Sequence, residues 1–177
     1  MKISIVGYSG AGKSTLARHL GKLYHAPVLH LDTVQYLPNW EEREKSEKLK
    51  IVDDFLIENK SWIIDGTYSG LHFDRRLEQS DLIIMLLFGR FTCFSRVVSR
   101  YRKFKGKSRP DMADGCNEKL DGEFVRWVLF EGRTKRRRER FKKIAEKYPE
   151  KTVIIKSQNQ LDNFLKEYDF SGDFYAR

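Results

Sequence analysis

Eight consecutive residues, Gly7-Tyr8-Ser9-Gly10-Ala11-Gly12-Lys13-Ser14, fit the pattern GxxxxGK(S/T) at every defined position. Each residue type answers a need of phosphate chemistry. The glycines let the backbone curl so that successive N–H groups point inward at phosphate oxygens. Lys13 brings a positive charge to the outer phosphates, and the Ser14 hydroxyl is placed to reach Mg²⁺. Thr15 follows in the first turn of the next segment, which reads as a helix offering its N-terminal dipole to the same anion. Context separates this from an incidental glycine-rich turn. An apolar strand, Lys2 to Val6, precedes the loop, and an amphipathic stretch with Leu16, Leu20 and Leu23 follows it.

Two acids stand where such a loop would need them. Asp65 closes the apolar run WIID and Asp32 closes LHLD. An acid at the carboxyl end of a parallel strand lies in the ligand crevice of an open α/β sheet. Asp65 is the candidate for Mg²⁺, set against a plain Asp-Gly turn. Asp32 is the candidate to take a proton from an attacking hydroxyl or to orient an acceptor, set against a helix or turn cap. Arg96 and Arg100 are four apart, Arg109 lies in a Gly/Pro-rich stretch, and Arg133 and Arg137 are again four apart. Arginines on a closing segment would neutralise phosphate charge and exclude water; the alternative is a solvated basic face. The four histidines show no metal-binding spacing, although His30 neighbours Asp32. Trp40, Trp62 and Trp127 read as packing residues.

The elements that must hold these residues follow from the hydropathy pattern. Short apolar runs alternate with longer amphipathic ones, which is the signature of a parallel α/β sheet. Strands are expected at Lys2–Val6, Pro27–Leu31, Trp62–Ile64, Leu82–Phe88 and Thr152–Lys156. Residues 32–39 read as a loop and Glu41–Glu58 as a helix with Leu49, Val52, Phe55 and Leu56 inward. A short helix is expected over Leu71–Gln79, and another from Arg90 with Phe91, Phe94, Val97 and Val98 inward. A long helix is expected over Glu118–Tyr148, interrupted near Gly132. Residues 101–118 read as a mobile lid, and the chain from Ser171 as frayed.

The 177 residues suit one domain, 1–177, and 40% hydrophobic residues are enough for a core. No apolar run approaches a membrane span, and the N-terminal run reads as a strand, not a signal peptide. Two lone cysteines, Cys93 and Cys116, lack a CxxC pairing and fit a reducing, cytoplasmic setting. The net charge of +9 is concentrated. Residues 90–109 carry eight basic side chains and no acid, and residues 131–143 carry eight basic and two acidic. Such a focused field suits a polyanion, either a nucleotide or a nucleic acid.

The stretches GYSGAGKST, PVLHLDT, WIIDGTYS, GRFTCFSRVVSRYRKFKGKSRPDM and GRTKRRRERF together resemble the bacterial DNA topology modulation protein family, a branch of the adenylate kinase-like P-loop proteins. The resemblance implies a three-layer P-loop NTPase fold with a five-stranded parallel sheet in order 2-3-1-4-5, an ATP site and a lid. It implies that Arg96 lies along adenine and that Arg100 reaches the phosphates. The chain departs from adenylate kinases on the acceptor side, where Thr67, Tyr68 and Ser69 replace a segment with a monophosphate-gripping arginine; Arg43, Arg75 and Arg76 are the candidate substitutes. Three readings stay open. One is a kinase that passes the ATP γ-phosphoryl group to a small molecule or nucleotide. The second is an ATP-switched DNA-associated regulator, and the third an inactive nucleotide binder.

Overall fold

A computed structural model describes residues 1–109 and 111–170, the side chains of Asp169 and Phe170 excepted; the terminal stretch from Ser171 lies outside them. Five strands form one parallel sheet: β1 (Lys2–Gly7), β2 (Val28–His30), β3 (Trp62–Asp65), β4 (Leu82–Leu86) and β5 (Thr152–Ile155), in the order β2-β3-β1-β4-β5. Runs of Ile, Val and Leu suit these strands, because branched side chains pack on a pleated surface. β3 and β4 are buried along their whole length, as expected for parallel strands covered on both faces.

Helices cover both faces. The helices are α1 (Lys13–Leu23), α2 (Leu31–Gln35), α3 (Lys45–Glu58), α4 (Phe73–Gln79), α5 (Arg90–Phe104), α6 (Gly122–Leu129), α7 (Lys135–Lys147) and α8 (Gln158–Phe170). One core layer joins Leu16 and Leu20 of α1, Cys93 and Val97 of α5 and Phe164 of α8 to Ile3, Ile5 and Ile84. A second joins Phe73 and Leu77 of α4 to Phe141 and Ile144 of α7 over Val6, Ile83 and Met85. A third joins α2 and α3 to Trp62 and Ile64.

Several expectations are corrected. Residues 31–35 form a helix, and the chain then doubles back: Tyr36 pairs with Glu42, and Arg43 N–H donates to the Gln35 carbonyl. This small hairpin delays α3 to Lys45. Leu23 and Phe91 face solvent. The helix expected from Glu118 starts only at Gly122, and it is interrupted at Gly132 as expected, by a 3₁₀ turn at Glu131–Arg133 between α6 and α7. The stretch read as a lid begins inside α5, which runs to Phe104.

Candidate functional site

Register brings the strand ends together. Ile5 is aligned with Asp65, and His30 with Asp65 in turn. The carboxyl ends of β2, β3 and β1 therefore open into one crevice, where ligands bind in open α/β sheets. Gly7 to Thr15 wrap the end of β1, with Ala11 buried at the turn. Gly10 has φ +76°, and a Cβ there would lie 2.5 Å from the Cys93 carbonyl oxygen; glycine is needed for the backbone and for its approach to α5. Gly12 (φ 97°) begins α1, with no side-chain cap and no acid in the first turn. The N–H groups of that turn are left for an anion.

Lys13 Nζ donates to the Tyr8 carbonyl at 3.0 Å, so the side chain lies back across the loop. Burial lowers its pKa, while Asp32 and Asp65 oppose the shift. Ser14 Oγ donates to Asp65 Oδ2 at 2.7 Å, and His30 Nδ1 meets Asp65 Oδ1 at 2.5 Å. Burial works to lower the His30 pKa, but its hydrogen bond with Asp65 and the charges of Asp65 and Asp111 prevail and raise it. Asp65 is itself 4% exposed. Asp32 Oδ1 accepts the Tyr68 hydroxyl at 2.7 Å. Burial and the Asp32 carboxylate both raise the Tyr68 pKa. Thr67 Oγ1 bridges the N–H and carbonyl of Gly7 at 3.1 Å.

The arginines fall into three groups. Arg96 donates to the Ala11 carbonyl at 2.8 Å and lies over the Phe88 ring. Arg133 donates to the Phe88 carbonyl at 2.9 Å and stacks on Tyr8, and Arg137 stacks on Trp127, whose indole N–H donates to Ser9 Oγ. These three are thus built against the loop. Arg136, Arg137 and Arg140 line the cavity, and no ion pair joins them to a carboxylate among the described residues. Arg100 is held differently. Its Nε donates to Glu118 Oε1 at 2.7 Å, Arg109 pairs with Glu118 Oε2 and with Asp111, and Asp111 also accepts from Arg18. This ladder of alternating charges ties Asp111 and Glu118 to Arg18 of α1 and Arg100 of α5. Cys116 and Asn117 fasten the stretch between these two acids to the hairpin, at Leu37 and Trp40. Both cysteines are free thiols.

The candidate substitutes for a monophosphate-gripping arginine are each engaged elsewhere, and none of them lines the cavity described next. Arg43 donates to the Val34 carbonyl and pairs with Glu47. Arg75 pairs with Asp53. Arg76 is fully buried and donates to the carbonyls of Leu71 and Tyr68; burial lowers its pKa to about 10, against the pull of Asp65.

The phosphate loop, Asp32, Asp65, Tyr68, Arg96, Arg100, Arg133 and Arg137 line one cavity of about 1530 Å³. Single-ligand pockets are typically ~300–1,000 Å³, so there is room for a nucleotide and a second molecule. Among the described residues no three metal-ligating side chains cluster. Mg²⁺ fits this setting, because it is commonly held by one or two carboxylates and by substrate phosphates. Asp65 and Ser14 are the residues that would hold it.

No protein-family profile matches the chain, and no curated protein matches it by sequence. Solved structures do. Shikimate kinase from Acinetobacter baumannii in complex with shikimate superposes with a TM-score of 0.54 at 18% identity, covering 94% of this chain and 90% of that one. Deoxyadenosine kinase from M. mycoides, with dCMP and a flexible dCDP bound, gives 0.53 at 16%, covering 96% and 99%. The sheet order, the helices on both faces and these neighbours define a P-loop kinase-like fold. Among the described residues no helix is long and apolar enough to cross a membrane.

Proposed function

We propose that this protein is an ATP-dependent kinase that transfers the γ-phosphoryl group to a small molecule. The observation that carries the reading is the convergence on one crevice of an uncapped α1 N-terminus, Lys13, a Ser14–Asp65 pair and a separate carboxylate, Asp32. The loop N–H groups and Lys13 hold the β- and γ-phosphates. Mg²⁺, held by Ser14 and Asp65, neutralises phosphate charge when bound. Arg96 borders the adenine side, and Arg133 and Arg137 supply charge over the loop at residues 8 and 9. Arg100 takes that part once Glu118 releases it, which makes the stretch that carries Glu118 a lid. Asp32 accepts the proton of the attacking hydroxyl. The test is ADP formation from Mg-ATP with a mixed pool of acceptors. Lys13→Ala is expected to lower the rate by about 100-fold or more. An unchanged rate in that variant would refute the assignment.

One observation favours a second reading, a DNA-associated regulator switched by ATP. The α7 surface exposes Lys135, Arg136, Arg138, Lys142 and Lys143. Binding built on phosphate contacts must weaken steeply with salt. A flat salt response of duplex DNA binding would remove this reading.

A further inference from the structure

The α7 wall of the cavity carries positive charge that no acid of the protein neutralises. Arg136, Arg137 and Arg140 line the cavity from this helix. Arg140 follows the other two at helical spacing and shares their face. None of the three has a carboxylate partner among the described residues. Burial, and then the charges of Arg140 and Arg136, lower the Arg137 pKa, so the guanidinium groups press on one another and an anion between them would relieve the repulsion. The acids of the facing wall are already matched. Glu42 accepts from Lys48 at 2.7 Å, and Asp111 and Glu118 pair with Arg18, Arg100 and Arg109. The cavity therefore admits an anion in addition to the nucleotide.

Arg140 is the member of this group that reaches the acceptor side. Arg137 stacks on Trp127, which holds Ser9 of the phosphate loop. Arg140 stands nearly a turn further along α7, 6.0 Å from the centre of the Phe73 ring at the start of α4. With Ser69 it also borders a smaller pocket of about 350 Å³ between α4 and α7. Ser69 follows Tyr68, whose hydroxyl donates to Asp32 Oδ1. Two adjacent residues thus join a free guanidinium to the carboxylate that takes the proton.

We propose that the acceptor is an alcohol that also carries a phosphate or carboxylate, that Arg140 holds this anion, and that the hydroxyl meets Asp32. The proposal rests on the kinase reading above. A guanidinium presents two parallel N–H groups to either anion. Arg140 so does from α7 what Arg43, Arg75 and Arg76, engaged elsewhere, do not. Lys119 adds an exposed charge on the Trp40 side, its ammonium 4.9 Å from that ring and without a carboxylate partner among the described residues. Asp32 Oδ2 has no hydrogen-bond partner among the described residues, which leaves it for the substrate hydroxyl. In the transfer the hydroxyl proton goes to Asp32 as the alcohol oxygen bonds to the γ-phosphorus. The bond from that phosphorus to the β–γ bridging oxygen breaks, and ADP leaves with its electron pair. The proton then passes from Asp32 to solvent.

The experiment measures kcat/KM at saturating Mg-ATP for matched pairs: glycerol and glycerol 3-phosphate, glucose and glucose 6-phosphate, adenosine and adenosine 3′-phosphate, and methyl shikimate and shikimate. The anionic member of the best pair is expected to exceed its uncharged counterpart by about 10-fold or more. Arg140→Ala is expected to bring that ratio near parity through KM, while the Mg-ATP dissociation constant and the melting temperature stay near wild type. Arg140→Lys, which keeps the charge and loses the fork, should restore part of the ratio. A binding measurement stands beside turnover: inorganic phosphate is titrated into protein saturated with a non-hydrolysable Mg-ATP analogue. Wild type should bind it, and Arg140→Ala about 10-fold or more weakly. An uncharged alcohol that turned over fastest would overturn the proposal. So would a ratio lost in Lys119→Ala and kept in Arg140→Ala, or an Arg140→Ala defect confined to Mg-ATP binding. Mg-ATP binding with no transfer to any anionic alcohol would overturn it and leave nucleotide binding standing. Absence of Mg-ATP binding would instead bring down the kinase reading on which the proposal rests.

Discussion

The charge ladder that joins α1 and α5 through Asp111 and Glu118 can be broken at one atom. Glu118→Gln replaces a carboxylate that is 3% exposed and that meets Arg100 and Arg109 at 2.6 Å each. Removing one partner of a buried ion pair costs about 3–5 kcal/mol, because the remaining charge is left without compensation. Two features reduce that figure here. Arg100 is 25% exposed and recovers some hydration, and the glutamine oxygen still accepts from one guanidinium while its amide group faces the other. The expected loss is therefore about 2–3 kcal/mol. For a chain of this size each kcal/mol moves the melting temperature by about 2–4 °C, so a fall of about 4–12 °C is expected. Thermal unfolding by circular dichroism measures it, with the exposed Glu150→Gln as control. Trypsin should also cut faster at Lys105, Lys107 and Lys119 in the Glu118 variant, since these sites flank or lie in the fastened segment. A melting temperature within about 1 °C of wild type, with unchanged cleavage, would refute the view that Glu118 holds the segment down.

Two further perturbations test the loop and the strand ends. A Cβ at residue 10 would meet the Cys93 carbonyl at 2.5 Å and Val97 Cγ2 at 2.7 Å, whereas one at residue 12 would meet only Arg96 Nη1 at 3.7 Å. Both positions have positive φ, so in urea unfolding Gly10→Ala should destabilise by about 1 kcal/mol or more beyond Gly12→Ala; equal losses would show that the contact with α5 yields freely. The raised His30 pKa implies a stabilising contribution that is complete below its ordinary value of 6.5 and is lost as pH rises through the folded value. The urea midpoint gap between wild type and His30→Gln, measured without Mg²⁺, should therefore be widest below the ordinary value of 6.5 and narrow as the pH rises above it; a gap independent of pH would mean that His30 does not act through its charge.

What the sequence disclosed, and what it hid, follows from the range of the interactions. The loop from Gly7 to Ser14 is contiguous and chemically constrained, so its pattern is visible in one line of sequence. Asp65 is visible because a strand end has a fixed place in a parallel sheet, and Asp32 lies just past β2, in the first turn of α2 rather than on the strand itself. The partners of these residues were not visible. Thr67 reaches Gly7, Tyr68 reaches Asp32 and Trp127 reaches Ser9 across 60, 36 and 118 residues, and no local periodicity encodes such pairings. Trp127 read as packing, and its ring does lie against the core layer of α1 and α5, but the indole N–H also holds the loop. The resemblance implies that Arg100 reaches the phosphates, yet a motif match carries no information on whether an acid elsewhere, here Glu118, already pairs with it. Residues 31–35 were hidden for another reason. Leu31 and Val34 are both buried, and one helical turn directly after a strand shows too few residues for its period to appear.

The central claim is that residues 7 to 15 hold Mg-ATP, and titration calorimetry tests it most directly. The wild-type protein should bind one equivalent of Mg-ATP, with affinity reduced by about 30-fold or more in Lys13→Ala and weakened when EDTA replaces Mg²⁺. Binding of equal strength in wild type and Lys13→Ala, or no heat at any concentration up to the millimolar range in which substrate constants fall (~1 mM), would contradict it.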